Sequence, residues 1–227
     1  MSELDVAALG LRAVNERLQS VGPESNERVF LLRNPMGQHA LACGLDAEIE
    51  VTIDGHAGYY CGGMNSRAAI TVRGHCGVGV AENMMSGCVR VTGNASQSAG
   101  ASGQGGLLVI AGDASARCGI SMKGIDIVVG GSVGHMSAFM AQAGRLVVCG
   151  DAGDNLGDSI YEARLYVRGK VASLGADCVE KPMRPEHLAE LDALLRTAGV
   201  GADAADFRRY GSARQLYHFH IDHAGEY

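Results

Sequence analysis

The sequence has no tryptophan, only four prolines, and just seven tyrosines and four phenylalanines among 227 residues. Its core must therefore be filled by small and branched side chains. No stretch approaches the run of about 18 apolar residues that a membrane-crossing helix needs. The first twenty residues carry Glu3, Asp5, Arg12, Glu16 and Arg17 where a secretion signal would be apolar, so a cytoplasmic chain is expected. Blocks of Lys or Arg are missing too, and 19 basic against 25 acidic side chains leave a net charge of −6. That excludes sequence-independent nucleic-acid binding, which requires clustered cations. Cysteine pairs of the CxxC kind are absent, which removes the spacing of zinc and iron–sulfur sites. Charged residues make up only 19% against 47% apolar, which excludes a disordered chain.

What is present in excess is glycine, 33 residues of it. Gly55, Gly74, Gly93, Gly112, Gly131, Gly150 and Gly169 are separated by 19 residues every time. Two residues before each stands Ile53, Val72, Val91, Ile110, Val129, Val148 or Val167, and four before it Val51, Ile70, Val89, Leu108, Ile127, Leu146 or Leu165. Spacing by two with aliphatic side chains predicts a short strand facing a core in every repeat. The residue after each glycine is polar throughout: His56, His75, Asn94, Asp113, Ser132, Asp151 and Lys170. Small residues three and seven places past the glycine mark corners. The pattern predicts an all-β, single-stranded parallel β-helix with 19-residue coils, about 38 Å long for eight coils at the usual strand spacing. Gly37, Ala40 and Gly44 add an earlier coil, so the β-helix is expected over 29–182. Residues 1–28 then form an N-terminal capping helix and linker, with Leu4, Ala7, Leu11, Val14, Leu18 and Val21 at helical spacing. Residues 183–227 form a C-terminal helix and an aromatic and basic tail. Pro185 opens that helix, Leu188, Leu191, Leu195 and Ala198 line it, and Gly199 closes it.

The candidates for chemistry are few. Cys43, Cys61, Cys76, Cys88, Cys118, Cys149 and Cys178 read as buried free thiols; Cys61 and Cys118 share a column but lie three coils, about 14 Å, apart. His56 and His75 share a column in adjacent coils and would stack, with Asn94 and Asp113 next, so either a metal or a plain polar ladder fits them. The sequon at Asn94-Ala95-Ser96 is read as chance. Met64, Met84, Met85, Met122, Met136 and Met140 fall in the weakly patterned half of the repeat and are expected in the core, with a protein contact or channel as the alternative. Residues 83–87 and 95–106 have little charge and resemble surfaces that another protein covers. The tail 207–227 holds Phe207, Tyr210, Tyr217, Phe219 and Tyr227, interleaved with Arg208, Arg209, Arg214, His218, His220 and His223. That composition fits interface anchors or a segment folded back on the β-helix. No catalytic, cofactor-binding or metal-ligating residue is assigned to this chain.

Two other classes compete. A left-handed β-helix acyltransferase, with His75 or His135 as base, repeats in multiples of six, which 19 is not. A filament stacking end to end is opposed by a helix at each terminus.

The coils 55–62 and 150–157, each Gly-x-x-Gly-x-x-x-Gly, resemble the GXGXG β-helix module that closes the glutamate synthase large subunit and forms a subunit of formylmethanofuran dehydrogenase. Segments 55–61, 80–87, 95–100, 117–124, 134–140, 157–163 and 209–214 more narrowly resemble the β-helix subunits of the N-methylglutamate synthase family, over about 34–227. The resemblance implies a right-handed β-helix acting as a non-catalytic scaffold in a complex that converts methylamine and L-glutamate into N-methyl-L-glutamate and ammonia. It further implies a glutamine-amidotransferase-like partner and an FMN-binding, glutamate-synthase-like partner that also carries an iron–sulfur cluster. The same motifs fit the equivalent subunit of a glutamate-synthase-like complex acting on ammonia or another amine.

Overall fold

The computed structural model describes residues 1–214. A short first strand β1 (Ser2–Asp5) leads into two short helices, α1 (Val6–Leu9) and α2 (Leu11–Gln19). Eight strands then follow: β2 (Val29–Arg33), β3 (Glu50–Ile53), β4 (Ala69–Val72), β5 (Cys88–Val91), β6 (Leu107–Ile110), β7 (Lys123–Val129), β8 (Ala143–Val148) and β9 (Arg164–Val167). They stack in parallel in chain order as a right-handed solenoid, with about seven turns joining the eight strands.

The register is the sequence repeat made visible. Val51 lies beside Ile70, which lies beside Val89, and so on to Leu165; the column from Ile53 to Val167 aligns in the same way. Both columns point into the coil and are fully buried. On the opposite wall Ala57, Cys76, Ala95, Ala114, Val133, Ala152 and Val171 form single bridges from coil to coil, and these small residues close a thin core.

The repeated glycines answer to close approach. A Cβ on Gly131 would stand 2.1 Å from Asp113 Oδ1 and 2.9 Å from the carbonyl carbon of Gly112 in the coil before it. Both neighbours are held by their own bonds, so the coil has to shift. We expect Gly131→Ala to cost about 1–3 kcal/mol, the usual penalty of overpacking, read as a lower denaturant midpoint at unchanged slope.

Nine residues past the first six of the seven glycines the backbone turns left-handed without a glycine: Met64, Asn83, Ser102, Ser121, Met140 and Ser159 have φ between 52° and 56°. Such a conformation costs an L residue about 1–2 kcal/mol. Here it is offset by coil-to-coil bonds, as from Met64 N to the Glu82 carbonyl (2.9 Å) and from Met140 N to that of Asp158 (2.9 Å). The turn sends the next residue inward, so Met84 and Met122 are fully buried, while positions nine and eleven look outward.

The termini depart from the expected pattern in two places. Leu4 belongs to a strand, because Ser2–Asp5 pairs with Phe30–Arg33 and extends the sheet, and the helix beyond it is broken at Gly10 (φ 79°). Val14, Leu18 and Val21 close the first coil, as the spacing predicts, with Leu11 packed against them, but Ala7 is exposed and Val6 is buried in its place because the helix does not run on from Leu4. At the other end β10 (Cys178–Lys181), helix α3 (Pro185–Ala198) and β11 (Arg208–Ser212) complete the order β9-β11-β10, both pairings antiparallel. Helix α3 ends at Gly199 (φ 76°), as read from the sequence.

Helix α3 lies along the outer face of the sheet. Leu191, Leu194, Leu195 and Ala198 pack on Val109, Val128, Val147 and Tyr166, forming a second core outside the coils. Arg90 on β5 donates to the carbonyls of Thr197 and Ala198 and so fastens the far end of the helix. The fit is one of length: 14 residues span about 21 Å, and the four spacings from β5 to β9 about 19 Å.

Candidate docking faces

The polar column after each glycine is a ladder between side chains and backbone. His56 Nδ1 accepts the His75 amide (2.9 Å), His75 Nδ1 that of Asn94 (2.8 Å), and the Asn94 Oδ1 that of Asp113 (3.0 Å). Asp113, Ser132 and Asp151 continue it to Lys170. The two imidazoles stack with centroids 4.9 Å apart. A ring accepting at Nδ1 holds its proton at Nε2, so the lone pairs a metal would take are already committed. Among the described residues no group of three or more His, Cys, Asp or Glu is placed to hold a metal ion. The column is a structural seam.

All seven cysteines are free; six are buried and Cys88 is half-buried. Burial pushes the Cys118 thiol up to about 12 and those of Cys43 and Cys178 up to about 11. Cys61 lies against the Cys76 thiol, which raises it further. Thiols held neutral inside a thin apolar core, with no CxxC spacing, do not fit an iron–sulfur cluster. Cys118 also predicts a pH dependence. Unfolded, it ionises near 9.0; folded, near 12, so the folded chain holds the extra proton between these values. Stability is then full below pH 9 and falls as pH rises toward 12, by about 1.4 kcal/mol per unit for one such thiol. Cys118→Ala should flatten that decline in thermal midpoints taken from pH 8 to 11, and the native Cys118 should resist alkylation.

Beside α3 a charged seam joins helix to sheet. Arg145 donates to both oxygens of Asp126 (2.7 and 2.5 Å), and Glu190 of α3 pairs with Arg164 and accepts the Tyr166 hydroxyl (2.9 Å). Burial and the Glu190 carboxylate hold the Tyr166 hydroxyl well above its ordinary range. Two open grooves of about 400 and 630 Å³ flank the seam and share Asp126, Arg145 and Glu190. Those shared charges already serve one another, so the grooves are the margins of a packed helix.

The remaining flank carries positions five to eleven past each glycine. Met84 and Met122 are core residues, as expected, but Met64, Met85 and Met140 are exposed by 48, 46 and 42%, and Met136 is half-buried. The left-handed turn described above is the reason for the division. Tyr161 (45%) joins the exposed set. Arg117 also stands here. It is the one arginine among the described residues whose guanidinium meets neither a carboxylate nor a carbonyl. Phe207 and Tyr210 are buried in the fold, so these two aromatics of the tail are packing residues. Tyr217, His218, Phe219, His220, His223 and Tyr227 lie outside the described residues.

No protein-family model matches the chain. It is 58% identical to Protein GlxC of Rhizobium meliloti (strain 1021) over 228 residues, covering 100% of both chains. The chain belongs to the GlxC family. With the solenoid above, membership agrees with the resemblance to glutamate-synthase-like GXGXG β-helix proteins. No helix among the described residues is long and apolar enough to cross a membrane. One signal for the outer face was readable and missed: the column three before each glycine changes from Thr52, Thr71 and Arg90 to Val109, Val128, Val147 and Tyr166 where α3 lies on the sheet.

Proposed function

We propose that this chain is the β-helix scaffold subunit of a cytoplasmic N-methylglutamate-synthase-like complex, which forms N-methyl-L-glutamate and ammonia from methylamine and L-glutamate. In this reading 29–182 is the rigid module, and 1–28 and 183–227 close and fasten it. The observation that carries it is a chain matched to GlxC along its whole span and built as one uninterrupted solenoid, and its coil motifs resemble those of the N-methylglutamate synthase β-helix subunits. Chemistry falls to the partners: a glutamine-amidotransferase-like subunit, and an FMN-binding subunit that also carries the iron–sulfur cluster. FMN and the cluster would supply redox chemistry there. This chain's contribution is a surface that does not deform, because each coil is bonded to both neighbours.

The test is gentle isolation of the tagged chain from its own cells, followed by flavin absorbance and an assay for methylamine-dependent N-methylglutamate. A co-isolating flavoprotein with that activity supports the proposal. A flavoprotein active only with ammonia or another amine moves the chain to the sister complex, and a colourless single chain overturns the scaffold reading.

A further inference from the structure

Met64 and Met140 occupy the same column four coils apart, about 19 Å at the spacing of parallel strands. Each is joined by the exposed residue eleven past the next glycine, Met85 beside Met64 and Tyr161 beside Met140. The flank thus carries two apolar pairs of one geometry. Between them the coil 95–106 contributes only Ala, Ser, Gln and Gly, and the next coil presents exposed Arg117 and Lys123, neither with an ion-pair partner among the described residues. The flank's own carboxylates, half-buried Glu82 and Asp158, lie in the coils of the two apolar pairs, so the centre between those pairs carries cations alone and is set for an anion.

We propose that this flank docks a different subunit, one presenting two apolar contacts about 19 Å apart with a carboxylate between them for Arg117 and Lys123. The inference rests on the scaffold reading and adds the surface and the partner's chemistry. Charge decides against a second copy. Antiparallel self-pairing superposes the two apolar pairs only about the midpoint between the coils of Gly93 and Gly112. That places Arg117 and Lys123 within one coil of their own symmetry mates, cation beside cation.

Methionine oxidation by dilute peroxide, read by mass spectrometry, tests it on the chain alone and on the natively isolated complex. In the complex Met64, Met85 and Met140 should form sulfoxide at least about tenfold more slowly than in the free chain, as expected for a buried interface. Met36, 84% exposed and off this flank, should not change, and buried Met84 and Met122 should resist in both. Arg117→Glu should weaken the partner's affinity by about tenfold or more at an unchanged thermal midpoint, with Arg117→Lys retaining most of it. Equal oxidation rates with the partner bound overturn the proposed surface while leaving the scaffold reading intact. Protection already present in the free chain overturns it in favour of another occupant: the segment 215–227 if truncation removes it, a second copy if dilution does. A chain that isolates alone overturns both.

Discussion

Val129→Asp is expected to leave little folded protein at neutral pH. Val129 is fully buried in the middle of the stack, with Ile110 before it and Val148 after it in register. The substitution removes about 1.5–3 kcal/mol of apolar burial. It also leaves a carboxylate without a partner inside the coil, a penalty of several kcal/mol more. Domains of this kind have about 5–15 kcal/mol in total, so the sum takes most of it. The sign of the pH effect gives a second check. Burial raises the pKa of the new carboxyl in the folded state above its unfolded value, so the folded chain keeps stability below the unfolded pKa and loses it as pH rises. The variant should be less damaged at pH 4 than at pH 7 relative to the natural chain, whereas Val129→Asn should show no such dependence. A thermal midpoint within about two degrees of the natural protein at pH 7 would refute the inward register.

Val128→Asp should be nearly as damaging, for a different reason. Val128 is the residue before it on β7 and faces the opposite way, yet it is as fully buried because α3 covers it. Thr71 holds the same place in the repeat three coils earlier, beyond the reach of α3, and is half-buried. Thr71→Asp should stay within about 0.5 kcal/mol, as surface changes do, while Val128→Asp costs several. The damage should also be local in kind: a 14-residue helix separated from its sheet is marginal in water, so trypsin should cleave after Arg196 in the Val128 variant first. Equal shifts for Thr71→Asp and Val128→Asp would mean that α3 does not protect the outer face.

This pair also marks how far the sequence could be read. The aliphatic columns, the polar ladder and the glycines repeat without a gap, and each is a local rule: a strand side chain points in or out by parity, and a turn needs small or polar residues. Fold, period and register follow from such rules. The N-terminal segment was harder, because Leu4 satisfies a helical spacing as well as a strand edge, and only pairing with Leu32 chooses between them. Phe207 and Tyr210 show the same limit, since interface anchors and packing residues have one composition.

The candidate surface was half legible. Low charge at 83–87 and 95–106 pointed to a covered face, but six methionines read alike as core. Three are outward because a left-handed residue, unmarked by glycine, reverses the direction of its neighbours. The solitude of Arg117 is likewise invisible until every other arginine has been given its partner.

By itself, then, the sequence determined a parallel β-helix of 19-residue coils and the inner and outer places of its strands, because a perfect repeat makes every coil's environment the same as the next. What only the tertiary structure decided lies where the repeat is broken: the strand that precedes the first coil, the antiparallel pair that closes the last, the helix laid on one face and the residues left bare on another. Those depend on contacts between segments far apart in the chain, which no local spacing records.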